Sequence, residues 1–222
     1  MYHPSGFLNM CIRKSTSMVF QNREQAALLL IPRLEKFRGG QVLVFSIPRG
    51  GVPIGCIIAK HFGWEHSLLL TKKIGHPLNP EYAVGAVGGS IVYVDEKHTD
   101  VPKSYIEREV ARIRESITER EKRFLKGRPQ SDITGKTVIL VDDGIATGLT
   151  MKLSVQMLRM RNPAHIIIAV PVAPPSSVKL LEQVADEVIV LHIDNDFSGV
   201  GQFYEDFSEV TDEDVMGMMR ND

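Results

Sequence analysis

Cysteine is almost absent from this 222-residue sequence. Cys11 and Cys56 have no metal-ligand spacing, and two are too few for a disulfide scaffold. A reducing, cytoplasmic setting is the expectation that follows. No apolar run approaches the ~20 residues a membrane span needs, so no membrane partner is expected. Charge of one sign is not in excess either. The net charge is −1, and the strong basic balance typical of general nucleic-acid binding is missing, so no nucleic-acid partner is expected. There is no internal repeat, no low-complexity tract and no G-x-x-x-x-G-K-[ST] loop. What is present is an ordinary globular composition, 43% hydrophobic, enough for one substantial core and one domain.

Residues 1–17, MYHPSGFLNMCIRKSTS, have no helical or strand period and no signal-peptide apolar segment. They read as a disordered leader, or as an over-extended start with Met18 as the alternative initiator. A single domain over 18–222 is expected to follow.

From Asn22 the pattern is helical, with Ala26, Leu29, Leu30 and Leu34 at three- and four-residue steps and Gly39-Gly40 ending the run. Val42 to Ile47 is a short apolar strand. Pro48-Arg49-Gly50-Gly51 follows, then a helix through Ile54, Ile57, Ile58 and Phe62. His66 to Thr71 is a second strand, closed by Lys72-Lys73, and a Gly/Pro/Asn loop runs to Pro80. Ala83 to Val94 reads as two short strands around Gly88-Gly89. Pro102 to Lys126 is a surface helix whose apolar stripe is Ile106, Val110, Ile113, Ile117 and Phe124. A strand at 138–141 leads through a loop to a helix from Gly148 to Met160. Ala164 to Val170 is a further strand, a helix runs from Pro174-Pro175 to Ala185, and Glu187 to His192 is the last strand. Strands alternating with helices imply βαβ units, hence an α/β fold with a parallel sheet covered on both faces. The tail is acidic and aromatic, and Thr211-Asp212-Glu213-Asp214 opens a short helix.

The stretch VILVDDGIATGLT (138–150) carries the chemistry. Four aliphatic residues form a buried strand, and two carboxylates stand at its end, where ligands bind in parallel α/β sheets. The loop after them leads into a helix N-terminus, a favourable place for a phosphate. Gly144 and Gly148 allow close backbone approach, and Thr147 and Thr150 offer hydroxyls. A ribose 5-phosphate fits both features, with its 2- and 3-hydroxyls on Asp142 and Asp143 and its phosphate on the loop. The competing reading is a surface Asp-Asp-Gly turn with Thr147 capping the helix. A phosphatase is disfavoured, because the D-x-D spacing such enzymes use is absent.

VILVDDGIATGLT resembles the phosphoribosyl-pyrophosphate motif of type I phosphoribosyltransferases. IPRGGVPIG (47–55) resembles the family's pyrophosphate loop. TKKIGHPLNPEYAVGAV (71–87) and GQFYEDFSEVTDEDV (201–215) resemble a subgroup with no assigned base. The resemblance spans residues 19 to 215, and it implies a parallel sheet with helices on both faces and a small C-terminal hood. It implies transfer of a phosphoribosyl group from phosphoribosyl pyrophosphate to a small nitrogen base, with release of pyrophosphate. Asp142 and Asp143 then match the ribose-binding pair, and Gly144, Ile145, Ala146, Thr147, Gly148 and Thr150 belong to the 5-phosphate loop. Pro48, Arg49, Gly50 and Gly51 match the pyrophosphate loop, with a cis peptide at Pro48–Arg49 or Arg49–Gly50.

Lys72 and Lys73 are either pyrophosphate neutralisers or solvated strand-end charges. The residues expected to act in catalysis are Arg49, Lys73, Asp142 and Asp143. Mg²⁺ is the implied cofactor, held by the diphosphate and ribose, with Asp142 and Asp143 touching it mostly indirectly. Loop 74–81 is expected to close over the site. Phe197, Phe203, Tyr204 and Phe207 are either a stacking face for the base or core. Glu81, Glu205 and Asp206 are candidate proton acceptors, while His76 and His192 are set aside as structural. Ala146 stands where 6-oxopurine enzymes of the family carry Asp, which points away from guanine and hypoxanthine. A homo-oligomer, a dimer, is expected. The competing function is a non-catalytic regulator on the same fold that binds phosphoribosyl pyrophosphate or a nucleotide.

Overall fold

The computed structural model describes residues 19–89, 91–95, 101–125 and 131–220, with only the backbone of Glu81. The expected leader, with Met18, lies outside the described residues. Helix α1 (Arg23–Leu34) starts where the Asn22 side chain accepts from the Gln25 N–H at 2.9 Å, a conventional N-cap. It buries Ala26, Ala27, Leu30, Ile31 and Leu34. Leu29, expected on that stripe, is 39% exposed. The buried stripe runs instead through Ala27 and Ile31.

The chain continues as β1 (Val42–Ser46), α2 (Gly51–Phe62), β2 (Glu65–Leu68), β3 (Lys72–His76), β4 (Asn79–Gly88) and β5 (Ile91–Val94). Then come α3 (Lys103–Leu125), β6 (Thr137–Val141), α4 (Leu149–Arg159), β7 (His165–Ala173), α5 (Pro175–Leu181), β8 (Glu187–Ile193) and α6 (Asp212–Met218). Five strands form a sheet of order β2-β1-β6-β7-β8, parallel throughout. Alternate residues of the central strands face opposite sides. Leu43, Phe45, Val138 and Leu140 pack against Val155, Leu158 and Leu181, while Val44, Ile139 and Val141 pack against Leu30, Leu34, Ile54 and Ile58. Burial on both faces explains why these strands read as continuous apolar runs.

One segment differs from its sequence reading. Lys72-Lys73 do not close the second strand, which ends at Leu68; they open β3, the first strand of a three-stranded antiparallel sheet β3-β4-β5. The expected loop 74–81 is the hairpin joining β3 to β4, with His76 paired to Asn79. Gly75 is there because the strands come close at an irregularity: a Cβ would lie 2.5 Å from the Pro80 carbonyl oxygen. Ile74, Val84 and Val87 are buried against Ile113 and Ile117 of α3, and that burial fixes the hairpin.

The tail returns to the start of the chain. The Phe20 N–H donates to the Phe203 carbonyl at 2.8 Å, and the Glu205 N–H donates to the Phe20 carbonyl at 2.8 Å. Phe20, Phe203 and Tyr204 are buried beside Ala26 and Val172. Thr211 caps α6, whose Val215 packs with Val52 of α2 and Phe124 of α3. Phe203 is fully buried, so Phe203→Ala is expected to cost about 3–5 kcal/mol, measured by urea unfolding. A loss under about 1 kcal/mol would show that the tail is not integral to the core.

Candidate functional site

The strand order reverses between β1 and β6. From β1 the chain moves outward to β2, and from β6 it moves the other way to β7 and β8. A crevice at such a switch point is the usual ligand position in open α/β sheets. Two loops meet there. The β1–α2 loop contains a cis peptide between Pro48 and Arg49, one of the two bonds expected from the sequence. The Ile47 N–H donates to the Val141 carbonyl at 3.0 Å, joining this loop to the end of β6. The β6–α4 loop starts with Asp142 and Asp143.

Glycine makes the junction possible. A Cβ on Gly50 would lie 2.0 Å from Asp143 Oδ2, and one on Gly51 would lie 2.6 Å from the Val141 carbonyl oxygen. Beneath the loop, buried Ser46 Oγ and His66 Nε2 are 2.8 Å apart. A cavity of about 160 Å³ opens beside Asp142, lined by Gly144, Ala146, Thr147, Gly148 and Thr150. Ile145 reaches the same cavity, but its side chain is buried in the core and its N–H donates to the Val172 carbonyl at 2.9 Å. It shapes the loop and has no donor to spare. Gly148 has φ +73°, and no side chain caps α4, so the Thr147 capping expected of a plain surface turn does not occur. The α4 N-terminus therefore faces the cavity without a side-chain acceptor, as an anion site requires.

The two acids differ in surroundings. Asp142 is half-buried and its Oδ1 accepts the Asp143 N–H at 2.9 Å. Asp143 is 9% exposed and is bound by Arg23, with Nε 2.9 Å and Nη2 2.8 Å from Oδ2. Burial, then the negative charge of Asp143, pushes the Asp142 carboxyl well above the ordinary carboxylate range. Burial also raises Asp143, against the opposing charge and hydrogen bond of Arg23. The Tyr204 hydroxyl donates to the Asp143 carbonyl at 2.6 Å, and burial, then the Asp143 charge, raises its own ionisation.

The remaining expected residues separate into groups. Arg49 stands on the loop, but its guanidinium turns to the tail, 2.5 Å from Glu209 and 3.8 Å from Asp212. The Arg49–Glu209 pair is exposed on both sides and is worth about 0–1 kcal/mol. Lys72 and Lys73 are exposed on the small sheet, on neither loop, and Lys72 faces the charge of Glu109 on α3. Of the aromatics, Phe203 and Tyr204 are core, Phe197 packs on Phe203 at 5.2 Å, and Phe207 remains 37% exposed. Glu205 and Asp206 are exposed, and Asp206 caps the Ser208 N–H at 3.0 Å. The Glu81 side chain lies outside the described residues. His192, set aside as structural, lies 3.0 Å from Asp194.

Sequence reasoning missed Arg23 and Ser177, whose Oγ donates to the Ala146 carbonyl at 2.6 Å. Arg23 had one local signal. It is the first residue of α1, where the helix dipole disfavours a cation, and a residue placed against that field has a partner elsewhere.

The sequence matches the family described as a phosphoribosyl transferase domain over residues 16–207, and the chain belongs to that family. Two Mycobacterium tuberculosis proteins, from strains CDC 1551 and H37Rv, each carry the name "Putative phosphoribosyl transferase". Each is 33% identical over 205 residues, 90% of this chain and 46% of its own length. The chain thus spans about half the length of the curated relatives it matches. The crystal structure of TT1426 from Thermus thermophilus is 39% identical and superposes with a TM-score of 0.85, covering 92% of this chain and 99% of that one. No helix among the described residues is long and apolar enough to cross a membrane.

The raised Asp142 carboxyl predicts a pH-dependent stability change. Its folded-state value lies above the unfolded one, so its favourable contribution is complete below the unfolded value and is lost as pH rises through the folded value. Once pH exceeds the unfolded value, the group therefore destabilises the protein. Asp142→Asn is expected to melt higher than wild type at neutral and alkaline pH, and the gain should vanish near the unperturbed carboxylate value of about 4. Thermal melts across pH check this; a variant melting below wild type at neutral pH contradicts it.

Proposed function

We propose that the protein is a phosphoribosyltransferase that binds Mg²⁺–phosphoribosyl pyrophosphate in the crevice between β1 and β6. The observation that carries this reading is the adjacency of two loops at one sheet edge. The acidic pair lies against the 48–51 loop on one side and borders the cavity at the uncapped α4 N-terminus on the other, an arrangement that suits a ligand with a 5-phosphate, ribose hydroxyls and a 1-diphosphate. In this reading Asp142 and Asp143 accept hydrogen bonds from the ribose 2- and 3-hydroxyls. The backbone of 144–150, with Thr147 and Thr150, holds the 5-phosphate. Backbone groups of Gly50 and Gly51 approach the diphosphate, and Arg49 exchanges its carboxylate partners for it.

The reaction displaces pyrophosphate from ribose C1 by a base nitrogen. Negative charge builds on the leaving group, so positioning and fixed positive charge supply the acceleration. Arg49 supplies such a charge from the loop. Lys73, exposed at the start of β3, is assigned the same role. Mg²⁺ prefers oxygen ligands and retains waters. No group of three or more acidic, histidine or cysteine side chains able to hold a metal occurs among the described residues, and the isolated Asp142–Asp143 pair fits contact with the waters of an ion that arrives on the diphosphate. Such an ion would neutralise diphosphate charge.

Ala146 is exposed at the cavity and has no group to accept a proton or bond a purine nitrogen. General acid–base help of that kind is worth about 10²–10⁴ in rate, so guanine and hypoxanthine are expected to be poor acceptors. The test mixes protein, Mg²⁺, phosphoribosyl pyrophosphate and a panel of bases and follows pyrophosphate. Release that depends on one base outside the 6-oxopurines is the expected result. Fast turnover with guanine or hypoxanthine sinks the specificity argument, and tight binding without release from any base assigns the fold to a regulator. Asp142→Asn with Asp143→Asn should weaken calorimetric binding tenfold or more, since a charge-assisted hydrogen bond is worth about 1.5–3 kcal/mol. Unchanged affinity removes the ribose assignment.

A further inference from the structure

Arg23 has an unusual set of partners. Nε and Nη2 both reach Asp143 Oδ2, at 2.9 and 2.8 Å. Nη1 donates to the Ser208 carbonyl at 2.8 Å. The guanidinium carbon lies 4.1 Å from the centre of the Phe207 ring. Both members of the Arg23–Asp143 pair are 12% exposed. With two donors on a carboxylate, one on a carbonyl and a face against an aromatic ring, little of this side chain is left to reach a ligand. Its position is itself fixed from the tail, because the Asp206 N–H donates to the Gln21 carbonyl at 2.9 Å just before α1 begins. The acid, the head of α1 and the tail thus meet at one cation.

We infer that Arg23 is a positioning residue, which holds the Asp143 carboxylate in place for the ribose hydroxyls and ties that carboxylate to the packed tail. This rests on the proposed ribose site. The surroundings explain why a cation is needed. Asp142 adjoins Asp143 in the same loop with a second negative charge, the tail offers only the Tyr204 hydroxyl, to the backbone carbonyl, and the facing loop offers Gly50, which has no side chain. Arg23 is the group that opposes burial at Asp143. Removing it from a buried pair leaves a charge uncompensated, and the carboxylate is expected to take up a proton at higher pH. Lys is not an equivalent, because a point charge cannot bind the carboxylate through two nitrogens and the carbonyl through a third. The exposed Arg49–Glu209 pair, though closer to the expected diphosphate, is screened by water and carries no such constraint.

The test is a double-mutant cycle on Mg²⁺–phosphoribosyl pyrophosphate affinity, read against pH. Arg23→Met should weaken binding about tenfold or more at neutral pH, the size of one charge-assisted bond, and should move upward the pH below which affinity is lost. In an Asp143→Asn background the same substitution should change affinity little, since the carboxylate that Arg23 positions is gone. Arg23→Lys carries the comparison with a smaller loss if the Met variant does not fold. A full loss that persists in the Asp143→Asn background, or a wild-type pH profile in both Arg23 variants, overturns the inference. A wild-type protein that binds no phosphoribosyl pyrophosphate contradicts the proposed function instead. In that case ¹³C titration of the Asp143 carboxyl decides the positioning role: an upward shift in the variant supports it, and an unchanged titration overturns it.

Discussion

The buried negative charge of Asp143 constrains everything around it. A carboxylate that is 9% exposed and follows a second carboxylate is costly unless cations and donors surround it. Arg23 answers that cost from α1, and Phe207 and Ser208 hold Arg23 from the tail. Gly50 removes the side chain that would collide with the acid, and Tyr204 binds its carbonyl. Three separate segments, α1, the tail and the 48–51 loop, therefore meet at one charge. Among the described residues the neighbouring Asp142 forms no ion pair, and it is the acid that opens on the cavity. A pair held so unevenly stores instability in the empty protein, the trade usual where a site must meet polar groups of a ligand.

Topology places this charge where chemistry is possible. Parallel strands put their carboxyl ends on one edge, and the reversal between β1 and β6 parts the loops above that edge. The register of the two strands is tight, with Ser46 opposite Val141. The Pro48–Arg49 loop and the Asp142–Thr150 loop consequently begin at the same height, so a ligand of a few ångströms can touch both. The helices that follow each loop, α2 and α4, lie on opposite faces of the sheet, packed on different core clusters.

The legible parts of the site were the parts contiguous in sequence. A strand, two acids, a small-residue loop and a helix start lie within 138–150, and the apolar run before them marks the strand. The 47–55 segment was legible for the same reason. Arg23 lies 120 residues from its partner, and its one local sign is a cation at a helix N-terminus. The β3–β4 hairpin was read as a loop because Gly, Pro and Asn mark tight turns and open loops alike. What separates the two is burial of Ile74 and Val84 against Ile113 and Ile117 of α3, which come far later in the chain. The tail aromatics were undecided between ligand face and core for the same kind of reason. Pairing with Phe20 settled Phe203 and Tyr204 as core, and pairing of that kind leaves no periodic trace in either segment.

A crystal structure of the protein with ribose 5-phosphate measures the central claim most directly. The account predicts density in the cavity beside Asp142, with the phosphate on the 144–150 backbone and the 2- and 3-hydroxyls within hydrogen-bond distance of Asp142 and Asp143. A phosphate bound elsewhere, or a ribose whose hydroxyls face away from both acids, would contradict it.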